Sequence, residues 1–285
     1  MKVLNYGSLN VDYVYSVDHI IVGGETQHSS KLEVFSGGKG LNQSIALAKA
    51  GVPVYHAGIV GTDGDILLEA CKEAGVNTKY IRRLPVKGGH TMIQVDKNAQ
   101  NCIILYGGTN QMQTKEFVDE VLADFGEGDY LILQNEINML DYIIDQAYEK
   151  KMKIVMNPSP FDDKLSTCDL SKVYLFLVNE IEGEQITGCK DKDQILDAMA
   201  AKFPNARFVL TLGSDGAVYY DGKEKVFQDI FKVKAVDTTA AGDTFTGYFI
   251  AAVIEGRSIQ EALRMAAKAS SIAVSRPGAT PSIPR

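Results

Sequence analysis

The sequence predicts an α/β fold in which helices cover both faces of a central, mostly parallel sheet. Two observations support this prediction. From residue 114 onward, short apolar runs alternate with helical patterns, which is the rhythm of strand–helix–strand units. Residues 13–36 and 78–107, in contrast, read as short strands and turns. We therefore predict a three-layer α/β/α sandwich with a small β-sheet lid formed by about 13–36 and 78–107.

The size and composition indicate a soluble globular protein. The chain has 285 residues, and we expect one domain spanning 1–285. Its net charge of −7 argues against non-specific binding to nucleic acid or to an anionic membrane. The four cysteines form no C-x-x-C pair, so neither a zinc site nor a disulfide framework is indicated. No apolar run approaches the roughly 20 residues that span a bilayer. We expect a cytoplasmic location.

Individual elements follow from hydrophobic periodicity and from the glycines that end helices. The predicted strands cover residues 2–8, 54–60, 80–83, 90–96, 101–106, 130–133, 153–156, 173–178, 208–212, 217–220 and 225–227. The predicted helices cover about 41–51, 63–75, 117–125, 140–150, 180–188, 195–202, 241–255 and 258–274. A turn over 97–100 joins two of the strands into a hairpin.

Residues 236–245 place Asp243 in the first turn of a predicted helix, directly after three small residues. Backbone N–H groups in a first turn lack intrahelical partners, and small side chains let an anion approach them. A carboxylate at this point could take a proton from an attacking hydroxyl while the N–H groups hold a phosphoryl group. The alternative is an ordinary acidic helix start capped by Thr238 or Thr239. These ten residues alone do not decide between the two.

Polar residues also follow several predicted strands, where ligands bind in open α/β sheets. These residues are Asn10 and Asp12, the run 134–136, the run 179–182 and the run 211–216. A glycine-rich run before the first helix lets the backbone approach a ligand, with Lys39 and Asn42 as polar contacts. Each run that follows a strand, taken alone, is more typical of an ordinary loop with a helix-cap or turn role than of a ligand site. Their occurrence together with Asp243 favours a ligand site.

In their order along the chain, these stretches resemble the motifs of the ribokinase-like carbohydrate kinases, the PfkB family. Asn10-Val11-Asp12 is similar to the family's N-x-D sugar contact, and residues 37–42 are similar to its first signature, G-G-x-G-x-N. Asn179 and Glu182 fit its N-x-x-E motif, and residues 211–216 resemble its nucleotide loop. Residues 237–245 match its second signature, and 276–282 resemble a C-terminal stretch of the family. The resemblance covers essentially the whole chain.

The resemblance implies transfer of the γ-phosphoryl group of ATP to a sugar hydroxyl, with ribose as the expected substrate. Asp243 would be the general base, and the N–H groups of Ala240, Ala241 and Gly242 would stabilise the phosphoryl in transit. The implied sugar contacts are Asn10, Asp12, Gly38, Lys39, Asn42, Glu136 and Asp243. The implied ATP contacts are Asn179, Glu182, Thr211, Gly213, Ser214, Gly216 and Gly242, with Glu182 holding Mg²⁺ through water. A monovalent cation, K⁺, would lie near Asp237, Thr239, Ala273, Arg276, Gly278 and Ser282.

The residues of the predicted lid do not decide which substrate the protein binds. The resemblance implies that the lid closes over the sugar and pairs with the lid of a second copy in a homodimer. His90 stands where the family usually has a threonine–glycine run. One alternative is a nucleoside kinase, with a base pocket built from Tyr13, Tyr15, His90 and Met92, or another sugar kinase of the PfkB type. A non-catalytic sugar or nucleotide sensor is another, although a sensor has no need of a base at Asp243.

Overall fold

The computed structural model describes residues 1–98 and 100–285; the predicted turn over 97–100 therefore includes one residue, Ala99, outside the described residues. The strands are β1 Val3–Tyr6, β2 Asn10–Ser16, β3 Lys31–Gly37, β4 Tyr55–Val60, β5 Asn77–Arg83, β6 Gly89–Val95, β7 Asn101–Tyr106, β8 Tyr130–Gln134, β9 Lys153–Asn157, β10 Leu175–Asn179, β11 Arg207–Thr211, β12 Ala217–Tyr220 and β13 Lys225–Gln228. The helices are α1 Lys39–Lys49, α2 Asp65–Ala74, α3 Lys115–Leu122, α4 Leu140–Glu149, α5 Glu180–Thr187, α6 Lys192–Lys202, α7 Ala241–Ile254 and α8 Ile259–Val274.

The larger of the two sheets has nine strands in the order β13-β12-β11-β10-β9-β8-β1-β4-β5. The strands from β11 to β5 run parallel, and β12 and β13 add an antiparallel edge. One apolar core packs α3, α4, α5 and α6 against one face, and a second core packs α1, α2, α7 and α8 against the other. The predicted three-layer sandwich is confirmed. Its parallel strands end at one edge, where loops can form a site.

The smaller sheet has four strands in the order β3-β2-β6-β7, and we call it the lid. Part of the predicted lid was wrong. β5 was placed there, but it lies at the edge of the large sheet and pairs parallel with β4. The reason is the helix α2 between them, because a strand–helix–strand unit returns its second strand parallel to the first. The lid also begins earlier than the predicted residue 13. Because β2 starts at Asn10, the Asn10–Asp12 motif itself belongs to the lid.

Most remaining differences concern element ends. The first strand is shorter than the predicted 2–8, and α6 begins earlier than the predicted 195. Asp191 explains the earlier start of α6, because its side chain accepts hydrogen bonds from the N–H groups of Asp193 and Gln194. Among the described residues, no helix is both long enough and apolar enough to cross a membrane.

Candidate active site

The start of α7 has an unusual backbone. Ala240 precedes the helix in the left-handed region, with φ of 59°, which is unfavourable for a residue with a Cβ. Within the described chain, no side chain caps this helix start. The alternative of a helix capped by Thr238 or Thr239 is therefore wrong. The helix N-terminus is left facing the edge of the sheet.

Two of the N–H groups at this helix start are open. Ala241 donates its N–H to the Thr238 carbonyl at 3.2 Å, so this predicted phosphoryl contact is already occupied. The hydrogen bonds of the described residues include none from the backbone N–H of Gly242 or Asp243. Since the first-turn N–H groups carry the positive end of the helix dipole, they suit an anion such as a phosphoryl group.

The Asp243 carboxylate is buried and held at both oxygens. Only 6% of the residue is exposed. The Asn42 amide donates to Oδ2 at 2.9 Å, and the Gln43 amide donates to Oδ1 at 3.0 Å. Both donors lie on α1, so the first and second signature stretches meet at this carboxylate. Two donors, one on each oxygen, fix the orientation of this carboxylate.

Lys39, the first residue of α1, lies among carboxylates. Burial alone would lower the pKa of Lys39, but the nearby carboxylates of Asp243, Glu136 and Glu182 raise it above its usual value. The side chain is therefore an ammonium ion. A fixed positive charge beside Asp243 is suited to a transferring phosphoryl group.

Glu136 is positioned by its own hydrogen bonds. It follows β8, and its Oε2 accepts from the Lys39 N–H at 3.0 Å and from the Ser8 hydroxyl. Burial raises the pKa of Glu136, against the lowering effect of Lys39. Ser8 was not predicted as a site residue, although it directly follows the first strand, where polar residues are well placed for ligands.

Gly38 allows the glycine-rich run to turn onto α1. Its φ is 94°, a conformation that favours glycine. A Cβ at this position would lie 3.1 Å from the Ser8 carbonyl oxygen and from the Asn10 nitrogen. Glycine at this position therefore lets the backbone before α1 lie directly against Ser8 and Asn10.

The lid contributes Asn10 and Asp12 through β2. The Thr91 hydroxyl of β6 donates to Asp12 Oδ1 at 2.6 Å, and the Asn110 amide donates to Asn10 Oδ1 at 2.7 Å. Burial raises the pKa of Asp12 to about 6, and the Thr91 hydrogen bond only partly opposes this. Asp12 is thus a desolvated carboxylate whose charge depends on mild changes of pH.

A cavity of about 250 Å³ lies beside Asp243. Seven predicted site residues line it: Lys39, Asn179, Glu182, Thr211, Ala240, Gly242 and Asp243. Gly213, Ser214 and Gly216 do not line it. The polar lining residues outside the predicted motifs are Asn157, Ser159 and Thr246. Thr246 is one helical turn after Asp243, so helical spacing could have identified it. Asn157 ends β9 at the same edge of the sheet.

The N-x-x-E motif forms a capping box at the start of α5. The Asn179 side chain accepts from the Glu182 N–H at 2.9 Å, and Glu182 Oε2 accepts from the Asn179 N–H at 3.1 Å. The helix-cap interpretation of this motif is correct, and both residues also line the cavity. The motif therefore stabilises α5 and presents a buried carboxylate to the site.

The six residues predicted for a monovalent cation divide into two groups. Asp237 accepts from the N–H groups of Thr239 at 2.8 Å and Gly278 at 2.9 Å, which brings these three together. Partial burial raises the pKa of Asp237 and these hydrogen bonds lower it, with a net decrease. Ala273 and Ser282 are fully buried, and Arg276 is exposed. Among the described residues, no cluster of three or more His, Cys, Asp or Glu forms a metal site.

His90 lies on the lid face opposite to Asp12. Side chains alternate along a strand, and β2 and β6 pair so that Asp12 adjoins Thr91 while Val11 adjoins His90. The His90 ring packs 6.1 Å from the Tyr13 ring and 5.0 Å from the Tyr106 ring, measured between centroids. His90 therefore belongs to an aromatic cluster on the outer side of the lid.

The family model for the pfkB family carbohydrate kinases matches residues 1–285. The chain belongs to this family. A ribokinase from Haemophilus influenzae is 34% identical over 291 residues, which cover 98% of this kinase and 94% of that relative.

Two solved structures are similar over nearly the whole chain. The crystal structure of a ribokinase from Thermotoga maritima has a TM-score of 0.88 at 33% identity and covers 100% of this kinase and 96% of that chain. The structure of an Arabidopsis thaliana ribokinase complexed with ribose and ATP has a TM-score of 0.87 at 29% identity, covering 99% and 95%. The fold and the carbohydrate kinase class are thereby established for this chain.

Proposed function

We propose that this kinase phosphorylates ribose from ATP, giving ribose 5-phosphate and ADP. The observation that carries the proposal is Asp243, a buried carboxylate held at both oxygens beside an open helix N-terminus and the Lys39 ammonium. Similarity supports the choice of substrate, since the Haemophilus influenzae relative is a ribokinase and the Arabidopsis structure contains ribose and ATP.

In the proposed mechanism, Asp243 takes the proton of the sugar's primary hydroxyl. The hydroxyl oxygen forms a bond to the γ-phosphorus, and the bond from that phosphorus to the β-phosphate oxygen breaks, which releases ADP. The open N–H groups of Gly242 and Asp243 and the Lys39 ammonium stabilise the negative charge on the transferring group. Positioning and electrostatics of this kind dominate phosphoryl transfer.

The sugar would lie between Asp243 and the lid. Asn10, Asp12, Asn42 and Glu136 offer amides and carboxylates to its hydroxyl groups, a mixture that suits a polyol. Asn42 Oδ1 is buried and has no hydrogen-bond donor among the described residues. A sugar hydroxyl would satisfy it, which is consistent with Asn42 as a substrate contact.

The phosphates of ATP would occupy the cavity near Asn179 and Gly242, and its adenosine would extend past Thr211 toward Gly213, Ser214 and Gly216, outside the cavity. Glu182 suits Mg²⁺ because it is a carboxylate on the cavity wall. Hydrogen bonds from Asn179 hold this carboxylate in place. A carboxylate of this kind holds Mg²⁺ through water, as this cation retains several waters. Bound Mg²⁺ neutralises phosphate charge.

The Asp237 region fits a monovalent cation. K⁺ is bound by oxygens that replace its water shell, including backbone carbonyls. Asp237 supplies a carboxylate beside Thr239 and Gly278, and the segments that carry Ala273, Arg276 and Ser282 would supply backbone carbonyls. This site would adjoin α7, so a bound cation would order the helix start that carries the phosphoryl contacts.

We further propose that the whole chain works as one cytoplasmic kinase unit that forms a homodimer through its lid. The lid exposes several large apolar side chains, and exposed apolar patches of this kind mark interaction surfaces. Four of them lie on the lid face that carries His90, with exposed fractions of 51% for Leu32, 45% for Met92, 60% for Ile104 and 53% for Tyr106.

A nucleoside kinase is less well supported. The four residues that would form its base pocket are Tyr13, Tyr15, His90 and Met92, and strand alternation places all four on the lid face opposite to Asp12. A base bound there would be separated from Asp243 by the lid itself. A non-catalytic sensor would leave the arrangement around Asp243 without a purpose.

The proposal is tested by measuring ADP formation with ribose, deoxyribose, fructose and adenosine as acceptors. We expect the highest kcat/KM for ribose, with ribose 5-phosphate as product. A higher kcat/KM for adenosine or fructose would contradict the assignment of ribose.

A further inference from the structure

A chain of buried amide side chains runs from β1 to the carboxylate of Asp243. It connects four elements through Asn5 on β1, Gln134 on β8, Gln43 on α1 and Asp243 on α7. Asn5, Gln43 and Gln134 have no exposed surface. The Gln134 amide nitrogen donates to Gln43 Oε1 at 2.7 Å and to Asn5 Oδ1 at 2.9 Å. The Gln43 amide nitrogen donates to Asp243 Oδ1 at 3.0 Å.

The direction of each amide is fixed by groups that can only accept. A carboxylate accepts, so the nitrogen of Gln43 must face Asp243 and its oxygen must face away. The other N–H of Gln43 goes to Asn157 Oδ1 at 3.1 Å. At the far end, the Asn5 nitrogen donates to the Gly40 carbonyl at 2.9 Å. Gln134, between the two ends, therefore has to present its nitrogen to both neighbours.

Gln134 keeps this orientation although its oxygen is left unpaired. Gln134 Oε1 is buried and has no donor among the described residues. An unpaired buried acceptor is unfavourable and calls for a specific reason. The orientation of Gln43 provides one, because a rotated Gln134 would turn its oxygen toward Gln43 Oε1. Gln43 would then rotate and turn its own oxygen toward the carboxylate.

We propose that Gln43 and Gln134 are positioning residues for phosphoryl transfer, with Gln134 acting on Asp243 only through Gln43. This inference rests on the proposed role of Asp243 as the general base. Neither glutamine lines the cavity. The two glutamines would hold Asp243 Oδ1 in a fixed orientation. Small displacements of a reacting group can cost roughly 10²-fold in rate.

The test is a double-mutant cycle on kcat with Gln43→Met, Gln134→Met and the double variant, alongside Asp243→Asn. We expect Gln43→Met to lower kcat about 10- to 100-fold and Gln134→Met to lower it about tenfold. KM for ribose should change little. The double variant should be no slower than Gln43→Met, because Gln134 has no effect once Gln43 is lost. Losses that multiply would overturn the proposal, as would a folded Gln134→Met enzyme with wild-type kcat.

Two further variants separate loss of positioning from loss of folding. Gln134→Glu keeps the shape but presents only acceptors to Gln43, so it should lower kcat even if Gln134→Met does not fold. Gln113→Met is the matched control: Gln113 is also a buried glutamine, but its side-chain oxygen accepts from the Tyr6 hydroxyl, remote from Asp243. Its kcat should equal that of the wild type. If Asp243→Asn retains wild-type kcat, the general-base proposal fails; if Asp243→Asn is inactive and both Gln134 variants are fully active, only this inference fails.

Discussion

The Asn42 amide donates a hydrogen bond to Asp243 Oδ2 at 2.9 Å across 201 residues of sequence. This contact joins the first turns of α1 and α7, and it fixes the distance between the implied sugar contacts and the open N–H groups. It predicts different behaviour for two substitutions. Asn42→Asp would put two carboxyl groups about 3 Å apart, where both cannot be ionised together. We expect the acidic limb of its kcat–pH profile to lie at least one pH unit higher than that of Asn42→Ala. Coinciding limbs would contradict the contact.

Asp12, a proposed sugar contact, also affects the stability of the fold through its raised pKa. The pKa of Asp12 is about 6 in the folded protein, against 3.8 for the unperturbed group. Protonation of Asp12 therefore stabilises the folded state relative to the unfolded chain. The stabilisation from protonation is complete below about pH 4 and is lost as pH rises through about 6. Asp12→Asn should therefore raise the free energy of unfolding at pH 7.5 by roughly 2–3 kcal/mol, with little difference near pH 4.

Urea unfolding at the two pH values measures this difference, and Asp141→Asn, at an exposed position, serves as the control. The same variant should raise KM for ribose, since the charged sugar acceptor is lost. For the wild type, KM should increase as pH falls below about 6. A stability difference that does not depend on pH would show that burial does not perturb Asp12.

The Asp237 region predicts activation by potassium. In a buffer free of potassium, sodium and ammonium, we expect kcat/KM to be low and to rise with added KCl. Asp237→Asn should abolish most of this rise, because it removes the charge that would face the cation while keeping one acceptor oxygen. Activity that is indifferent to KCl in the wild type would refute the site.

The exposed side chains of β7 predict the quaternary structure. Ile104→Lys places a charge in the apolar patch on the outer lid face and should convert a dimer into a monomer, as measured by size-exclusion chromatography with light scattering. Ile181→Lys is the control, since Ile181 is 68% exposed on α5, outside the lid. A wild-type protein that is monomeric at micromolar concentration would rule out the lid dimer.

The layered sheet could be predicted because alternating apolar runs and helical patterns are local signals. The position of β5 could not be predicted by composition, since a strand next to two lid strands in sequence looks like one of them. It required the right-handed crossover from β4 through α2. The turn of the chain at Ala240 also has no sequence signal, because left-handed backbone is more typical of glycine than of alanine.

Some residues of the candidate site could likewise be predicted from the sequence, and others could not. Lys39, Asn42, Glu182 and Asp243 could be predicted because they stand next to glycines, strand ends or helix starts. Gln43 could not, as a glutamine beside Asn42 on an apolar helix face has no distinguishing pattern. Its role depends on Gln134, which is 91 residues away in sequence and in contact only in the fold.

The proposed phosphoryl transfer depends most on Asp243 as the proton acceptor. The direct measurement compares kcat and ribose affinity for Asp243→Asn and the wild type, with calorimetry for the Kd of ribose. General-base catalysis contributes about 10²–10⁴-fold, so kcat should fall by at least 10²-fold, while the Kd for ribose stays within about threefold, since the other sugar contacts remain. A variant that binds ribose and retains wild-type kcat would contradict general-base catalysis by Asp243.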